Sequence, residues 1–370
     1  MKKTIATILS IASLFSASYA NASEQRLSEL ESRIENLQQQ LAAQESDGYS
    51  SALENSWTQH VSISGLIEVE AGYHRPYLGD STSDLVLATA ELGITADISD
   101  WVHGEVIFLY EEDGTDLEID VAAIHISPPR APWYLSGGQF YLPFGVFETH
   151  MVSSTLTSDM SETRDTAFLA GVAQSDFYAS VFVFNGTNKE DGNDHINNWG
   201  VQFGLETEAA DTIFLSELSY LNDIGDSDTL QNVLSSPNVN DYTAGWNWFA
   251  KVDTGPFSMI GEYTSALSEF ESNVLMFNLN GAKPSAWNLE LGYHFMINQR
   301  HATIALGYQG TDEALPLELP EERMLAALSV NVQDNTAVSL EWARDQDYEA
   351  SEGGTGESAD TVTLQLAAEF

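Results

Sequence analysis

The sequence predicts an all-β protein, a sixteen-stranded antiparallel transmembrane β-barrel preceded by a short N-terminal α-helical coiled coil. Three observations carry this. From His60 onward, apolar residues recur at every second position over segments of about 9–13 residues, the length a tilted strand needs to cross a bilayer. The last ten residues keep that alternation, with Val362, Leu364, Leu366, Ala368 and Phe370 on one face and Thr361, Thr363, Gln365, Ala367 and Glu369 on the other. Beyond the first 22 positions no apolar run reaches the length of a membrane helix, and a chain that spans a bilayer without one must close a barrel.

Lys2 and Lys3 precede an apolar run from Ile5 to Phe15, and Ala20-Asn21-Ala22 follows as a small-residue cleavage site, with Ser18-Tyr19-Ala20 as an alternative. Residues 1–22 are therefore expected to be a secretory signal peptide, too short in its apolar core to anchor the chain. The two lysines leave with it, so 11 basic side chains face 56 acidic ones, about −45 in net charge. The absence of cysteine fits an exported protein that needs no disulfide. Such acidity excludes nucleic acid as a partner, because phosphate contacts need clustered Lys and Arg. It suits a solvated surface in a salty habitat, or a pore field that attracts cations.

Residues 23–46 carry Leu27, Leu30, Ile34, Leu37 and Leu41 at spacings of 3, 4, 3 and 4, the a and d seam of a heptad repeat. Three heptads are marginal alone. The expectation is self-association beneath a homotrimeric barrel, with a single amphipathic helix resting on the barrel as the alternative. Residues 47–59 form a polar linker.

The barrel occupies residues 60–370. Strands are predicted near 60–75, 83–98, 101–112, 116–127, 132–142, 164–173, 176–187, 196–207, 211–222 and 242–253. The remainder fall near 256–268, 284–297, 300–311, 321–333, 335–348 and 360–370. Both ends of a barrel chain face the periplasm, so the strand number must be even and short turns must alternate with long loops. The turns are Ser99-Asp100, Pro128 to Ala131, Ala173 to Ser175, Glu208 to Ala210, Thr254-Gly255, Asn298-Gln299 and Asp334. Long loops include 143–163, 188–195, 223–241, 269–283, 312–320 and 349–359. A further strand at 271–281 would break the parity, so Ser272 to Asn280 is assigned to an outer loop or strand extension. Sixteen strands leave an aqueous lumen.

Tyr73, Tyr110, Tyr220, Trp246, Trp248, Tyr293, Tyr308 and Trp342 lie near strand ends, as an interfacial girdle requires. Strand phase points Glu68, Glu70, Glu91, Glu105, Glu118, Asp120, Glu206, Glu262, Glu290, Glu341 and His294 into the lumen, against the basic residues Lys251, Arg323 and Arg164. Charged rings set ion selectivity, so a cation preference is expected. Pro143 ends its strand because it offers no N–H, and Gly145 permits a bend. The loop that follows carries few charges and presents Phe144, Phe147, Met151 and Leu156. Folding into the lumen as a constriction would bury it; packing on the barrel rim or on a neighbouring subunit is the alternative.

The run GQFYLPFGVFET at 138–149 is similar to a motif of phosphate-selective porins. Together with the heptad segment, AWNLELGYHF at 286–295 and the closing Glu369-Phe370, the chain more closely resembles the LbtU family of siderophore porins along essentially the whole mature length. That resemblance implies an outer-membrane channel that takes up iron–siderophore complexes without a plug domain. The terminal aromatic Phe370 resembles the signal read by the barrel assembly machinery, and lipopolysaccharide would surround the wall. The few inward basic residues depart from the phosphate-selective pattern and argue against anion transport.

Catalysis is not expected. The eight histidines are scattered one per segment, with no nucleophile elbow and no zinc-protease helix. No cofactor or metal site is expected either: Asp191-Gly192-Asn193-Asp194 is a fragment of a calcium loop without its ligand pattern. The competing readings are a general cation-leaning diffusion channel and an envelope tether. The heptad segment spans only roughly 33 Å at 1.5 Å per residue, too little to cross the periplasm.

Overall fold

The computed structural model describes residues 60–370 apart from positions 113, 191 and 194. The expected signal peptide, the heptad segment with Leu27, Leu30, Ile34, Leu37 and Leu41, and the expected linker lie outside the described residues. The sixteen barrel strands are β1 (Val61–Arg75), β2 (Thr82–Ser99), β3 (Val102–Glu111), β4 (Thr115–Ile126), β5 (Trp133–Tyr141), β6 (Arg164–Ala173), β7 (Phe177–Phe184) and β8 (Asn198–Ala209), followed by β9 (Thr212–Leu221), β10 (Gly245–Thr254), β11 (Phe257–Ala266), β12 (Ser285–Ile297), β13 (Arg300–Asp312), β14 (Glu322–Gln333), β15 (Thr336–Gln346) and β16 (Ser358–Glu369). Each pairs with its sequence neighbour, and the ring is closed. Closure is antiparallel between β1 and β16, from Leu66 opposite Glu369 to Arg75 opposite Asp360. Gly65 and Phe370 complete the seam by exchanging two backbone hydrogen bonds of 3.0 Å. Among the described residues the barrel sheet keeps no free edge, which is what a wall in hydrocarbon demands.

Strand number and order are those expected from the sequence, with ends shifted by a few residues. The expected outer-loop segment 272–280 holds only a two-residue ladder, Met276–Phe277 with Asn280–Gly281, outside the barrel sheet. At one end the turns are tight: Asn298 and Gln299 both have positive φ, 49° and 68°, as a two-residue hairpin of type I′ requires. At the other end most connections are long, the three residues between β3 and β4 excepted.

The outer face is apolar. Phe168, Leu117, Leu306 and Leu289 stand more than half exposed, as lipid-facing side chains must. Aromatic pairs mark two belts. Trp199–Tyr220, Trp246–Tyr263 and Trp287–Tyr308 lie toward the loop end, with ring centres 5.3, 5.3 and 4.8 Å apart. Phe257–Tyr293 and Tyr293–Phe295 lie toward the turn end.

The interior departs from the expectation of a wholly aqueous lumen. The inner faces of β3 to β7 carry a buried apolar set, Ile107, Val121, Ala123, Ala167, Leu169, Phe182 and Phe184. They pack with Phe140, Leu142, Phe144, Leu156 and Met160, and the cluster continues into the long loops through Leu221, Ile224, Leu230, Phe270, Leu275, Leu317 and Leu319. The core of this barrel thus sits inside one side of the lumen and beneath the outer loops.

Candidate functional site: an inward loop fastened to the wall

Segment 142–163 leaves β5 and returns to β6 with its neck closed, the Leu142 amide donating to the Thr163 carbonyl at 2.8 Å. Pro143 ends the ladder. Gly145 (φ 96°) and Phe147 (φ 57°) both take the left-handed region. This turns the Val146 and Phe147 amides together onto Glu262 Oε1 on the inner face of β11, at 2.9 and 3.3 Å. Two successive backbone amides converging on one anion make a nest. Thr157 Oγ1 donates to the other oxygen of Glu262 at 2.8 Å, and Asn247 Nδ2 donates to Oε1 at 3.0 Å.

Two more wall carboxylates repeat the device. Glu290 on β12 accepts from the Thr149 hydroxyl (2.5 Å), the His150 amide (2.8 Å) and Asn288 Nδ2 (3.0 Å). Glu341 on β15 accepts from the Val152 amide (2.5 Å), the Ser153 amide (3.2 Å) and the Ser153 hydroxyl (2.6 Å). Gln309 on β13 accepts from the Leu156 amide at 3.0 Å. A short helix, α1 (Leu156–Ser161), starts at Thr155, whose side chain caps the Ser158 amide. Leu156 and Met160 of α1 are fully buried in the core described above. The loop therefore crosses the lumen, its apolar side on β3–β7 and its polar backbone on β9–β15.

The sequence-derived residues fall into three groups. Glu262, Glu290 and Glu341 lie beneath the loop and bind it, rather than lining open water. A second group is paired on the wall. Glu70 accepts from Gln365 Nε2 at 2.9 Å. Asp120 accepts from Tyr141 Oη (2.8 Å) and Arg164 Nη1 (2.6 Å), and Arg164 also reaches Glu118. Arg323 grips Asp345 through two nitrogens at 2.7 and 3.0 Å, and lies 4.0 Å from Asp159 of α1. Lys251 ion-pairs with Glu148 of the loop and lies 3.3 Å from Asp253. In the third group, Glu68, Glu91 and Glu206 keep partial exposure on the inner face. Glu105 is buried, 3.9 Å from His125 Nε2. Of the loop residues Phe144, Phe147 and Met151 are buried.

Gln139 and Gly138 of the motif at 138–149 have a local task. A bulge in β4 sets both Asp120 and Val121 inward. Gln139 Nε2 donates to the freed Ile119 and Asp120 carbonyls at 2.8 and 3.1 Å. Gly138 has φ 144°, and a Cβ there would lie 2.1 Å from the Ala122 carbonyl oxygen.

Two features carry little signal in the sequence. Glu217, buried on β9, accepts from Tyr178 Oη at 2.7 Å. The rings of His150 and His294 meet edge-to-face at 5.5 Å, although 144 positions separate them. Gly292 makes the room, since a Cβ there would stand 2.9 Å from the His150 ring. Burial first, then the Lys251 charge, pushes the His150 pKa down.

At the loop end, Asp223 and Asp226 are buried together. Asp226 accepts from the Thr187 and Asn188 amides at 2.7 and 2.8 Å and from Asn198 Nδ2 at 2.5 Å. Asp223 accepts from Asn188 Nδ2 at 3.0 Å. Burial pushes Asp223 up to about 6, and burial followed by the Asp223 charge pushes Asp226 up to about 7. The segment they hold rests on the inward loop through the Asp228 amide to the Glu162 carbonyl and the Ser227 hydroxyl to the Met160 carbonyl, at 2.8 and 2.9 Å.

No protein-family model matches the chain. A UPF0422 protein of Coxiella burnetii is 28% identical over 309 residues, covering 80% of this chain and 66% of that protein. A UPF0422 protein of Legionella pneumophila strain Lens is 28% identical over 352 residues, covering 84% of this chain and again 66% of its own length. The chain thus spans just under two thirds of these relatives. Among solved structures, Pseudomonas putida OprB superposes with a TM-score of 0.61 at 10% identity, over 85% of this chain and 95% of that one. An anion-selective porin from Comamonas acidovorans gives 0.58 at 12% identity, over 84% and 99%. The trimer form of Vibrio cholerae OmpT, an outer-membrane protein, gives 0.51 at 12% identity, over 84% and 99%. The barrel has the porin fold.

Proposed function

We propose that this chain is an outer-membrane channel of a Gram-negative bacterium through which small solutes diffuse. The observation that supports it best is the loop 142–163, folded inside a closed barrel and bonded to three wall carboxylates. A loop so placed narrows the lumen without joining a separate plug. Glu68, Glu91 and Glu206 on the inner face, in a chain of net charge −43, favour cations. In this the channel differs from its anion-selective structural neighbour. No catalytic role is assigned to any of these residues.

A homotrimer is supported by the heptad segment and by the trimer form of OmpT. Recognition of Phe370 by the barrel assembly machinery, and ferric siderophores as the cargo, rest on the sequence resemblance alone. Planar-bilayer recording of the folded protein under a salt gradient tests the proposal. Stepwise currents, grouped in threes for a trimer, with a cation-selective reversal potential are expected. Block by a micromolar ferric siderophore would mark a dedicated channel, and its absence a general one.

A further inference from the structure

The chain contains 56 acidic and 13 basic residues, yet two arginines stand together on its outer wall. Arg75 on β1 and Arg344 on β15 flank Asp360 on β16. The register places Arg75 opposite Asp360 and Arg344 opposite Asp360, so three adjacent strands share one layer across the closing seam. Asp360 ion-pairs with Arg75 and lies 3.6 Å from Arg344, which also donates to Ser358 Oγ at 2.8 Å. Both guanidiniums remain about half exposed, at 52% and 48%. An ion pair so exposed adds little to stability; within these three strands two guanidiniums face one carboxylate, with Glu322 of β14 on the same outward face one residue pair nearer the loops.

The position of the layer matters more. Two residues nearer the turn end on the same strands and the same outward face sit Tyr73, Val362 and Trp342, again in register. That is a piece of the aromatic girdle, where hydrocarbon gives way to head groups. At barrel tilt, one strand repeat of about 7 Å carries the layer roughly 5 Å farther along the membrane normal, from the girdle into the head-group region. The layer is at the long-loop end of the barrel, which faces outward in the proposed orientation.

We infer that Arg75 and Arg344 form a binding site for a phosphate monoester of lipid A in the outer leaflet. The guanidinium fork matches phosphate oxygens two at a time, which a point charge does not. Asp360, paired with Arg75 and 3.6 Å from Arg344, offsets part of their positive charge. The inference rests on the outer-membrane reading.

The test uses the folded, tag-free barrel, titrated with bisphosphorylated lipid A and with lipid A stripped of phosphate, and read by native mass spectrometry. Wild type should prefer the phosphorylated lipid by about 10-fold, the loss expected for one or two charge-assisted bonds. R75Q/R344Q should abolish the preference, and R300Q, at the turn end, should keep it. D360N should strengthen binding, because position 360 then no longer offsets the two guanidiniums. Equal binding of the two lipids by wild type, survival of the preference in R75Q/R344Q, or weaker binding in D360N would each overturn the site. Equal preference for a phospholipid phosphate would overturn its assignment to lipid A. Conductance of the same preparation separates the two levels: a conducting barrel without the preference rejects the site alone, and a barrel that enters no bilayer rejects the membrane reading.

Discussion

Glu262, Glu290 and Glu341 are buried carboxylates whose lone pairs are spent on loop amides and hydroxyls. Buried charges survive only when satisfied in this way. Replacing Glu341 by Gln removes the charge from three donors on Val152 and Ser153. The expected cost is about 2 kcal/mol, typical of bonds to a charged group. It should appear as a lower thermal midpoint of the folded band and a noisier open-channel current. An unchanged midpoint with quiet current would remove the anchoring role. Gly138→Ala is expected to cost on the order of 3 kcal/mol, because φ 144° and the Ala122 carbonyl leave no place for a Cβ. Its measurement is the fraction of refolded barrel resistant to mild detergent. Strand phase alone was enough to direct the three glutamates inward. Their burial beneath the loop was not legible, since no local signal says which loop crosses which strand. Glu217 gives no signal in the sequence because Leu215 and Leu221 share its face, so the inner side of β9 does not read as polar.

The loop-end cap offers a pH prediction. Asp223 and Asp226 are pushed up to about 6 and about 7 from an ordinary value near 4. For groups raised in this direction, the stabilising contribution is fully present below about pH 4 and is lost as the pH rises through 6 to 7. Segment 222–244 should therefore be more protected from proteolysis and hydrogen exchange at pH 5 than at pH 8. D226N, which imitates the protonated form, should flatten that dependence; an equal dependence in D226N would refute the assignment. Among the strands, the alternation in β12 and β16 was easy to read because polar and apolar faces differ. In β7, Val181 to Phe184 reads Val-Phe-Val-Phe, with valines to lipid and phenylalanines to the interior. A run that is apolar on both faces hides whether its inner side meets water or core. That is why the apolar filling along β3–β7 is not legible in the sequence, although the strands themselves are. The β4 bulge, which sets Asp120 and Val121 on one side, likewise breaks the phase rule.

The strand count was legible because closure and the alternation of short turns with long loops leave few solutions. The degree of filling was not, because it depends on loops that return over the core. A carboxylate-fastened loop narrows what the apolar filling leaves of the lumen. That narrowing is tested most directly by single-channel conductance of the wild-type barrel against a variant in which Glu290 and Glu341 are both Gln. Cation-selective steps in wild type, with larger or rapidly fluctuating steps in the double variant, are predicted. A correctly folded wild-type barrel that never conducts, or a double variant with wild-type steps, would contradict it.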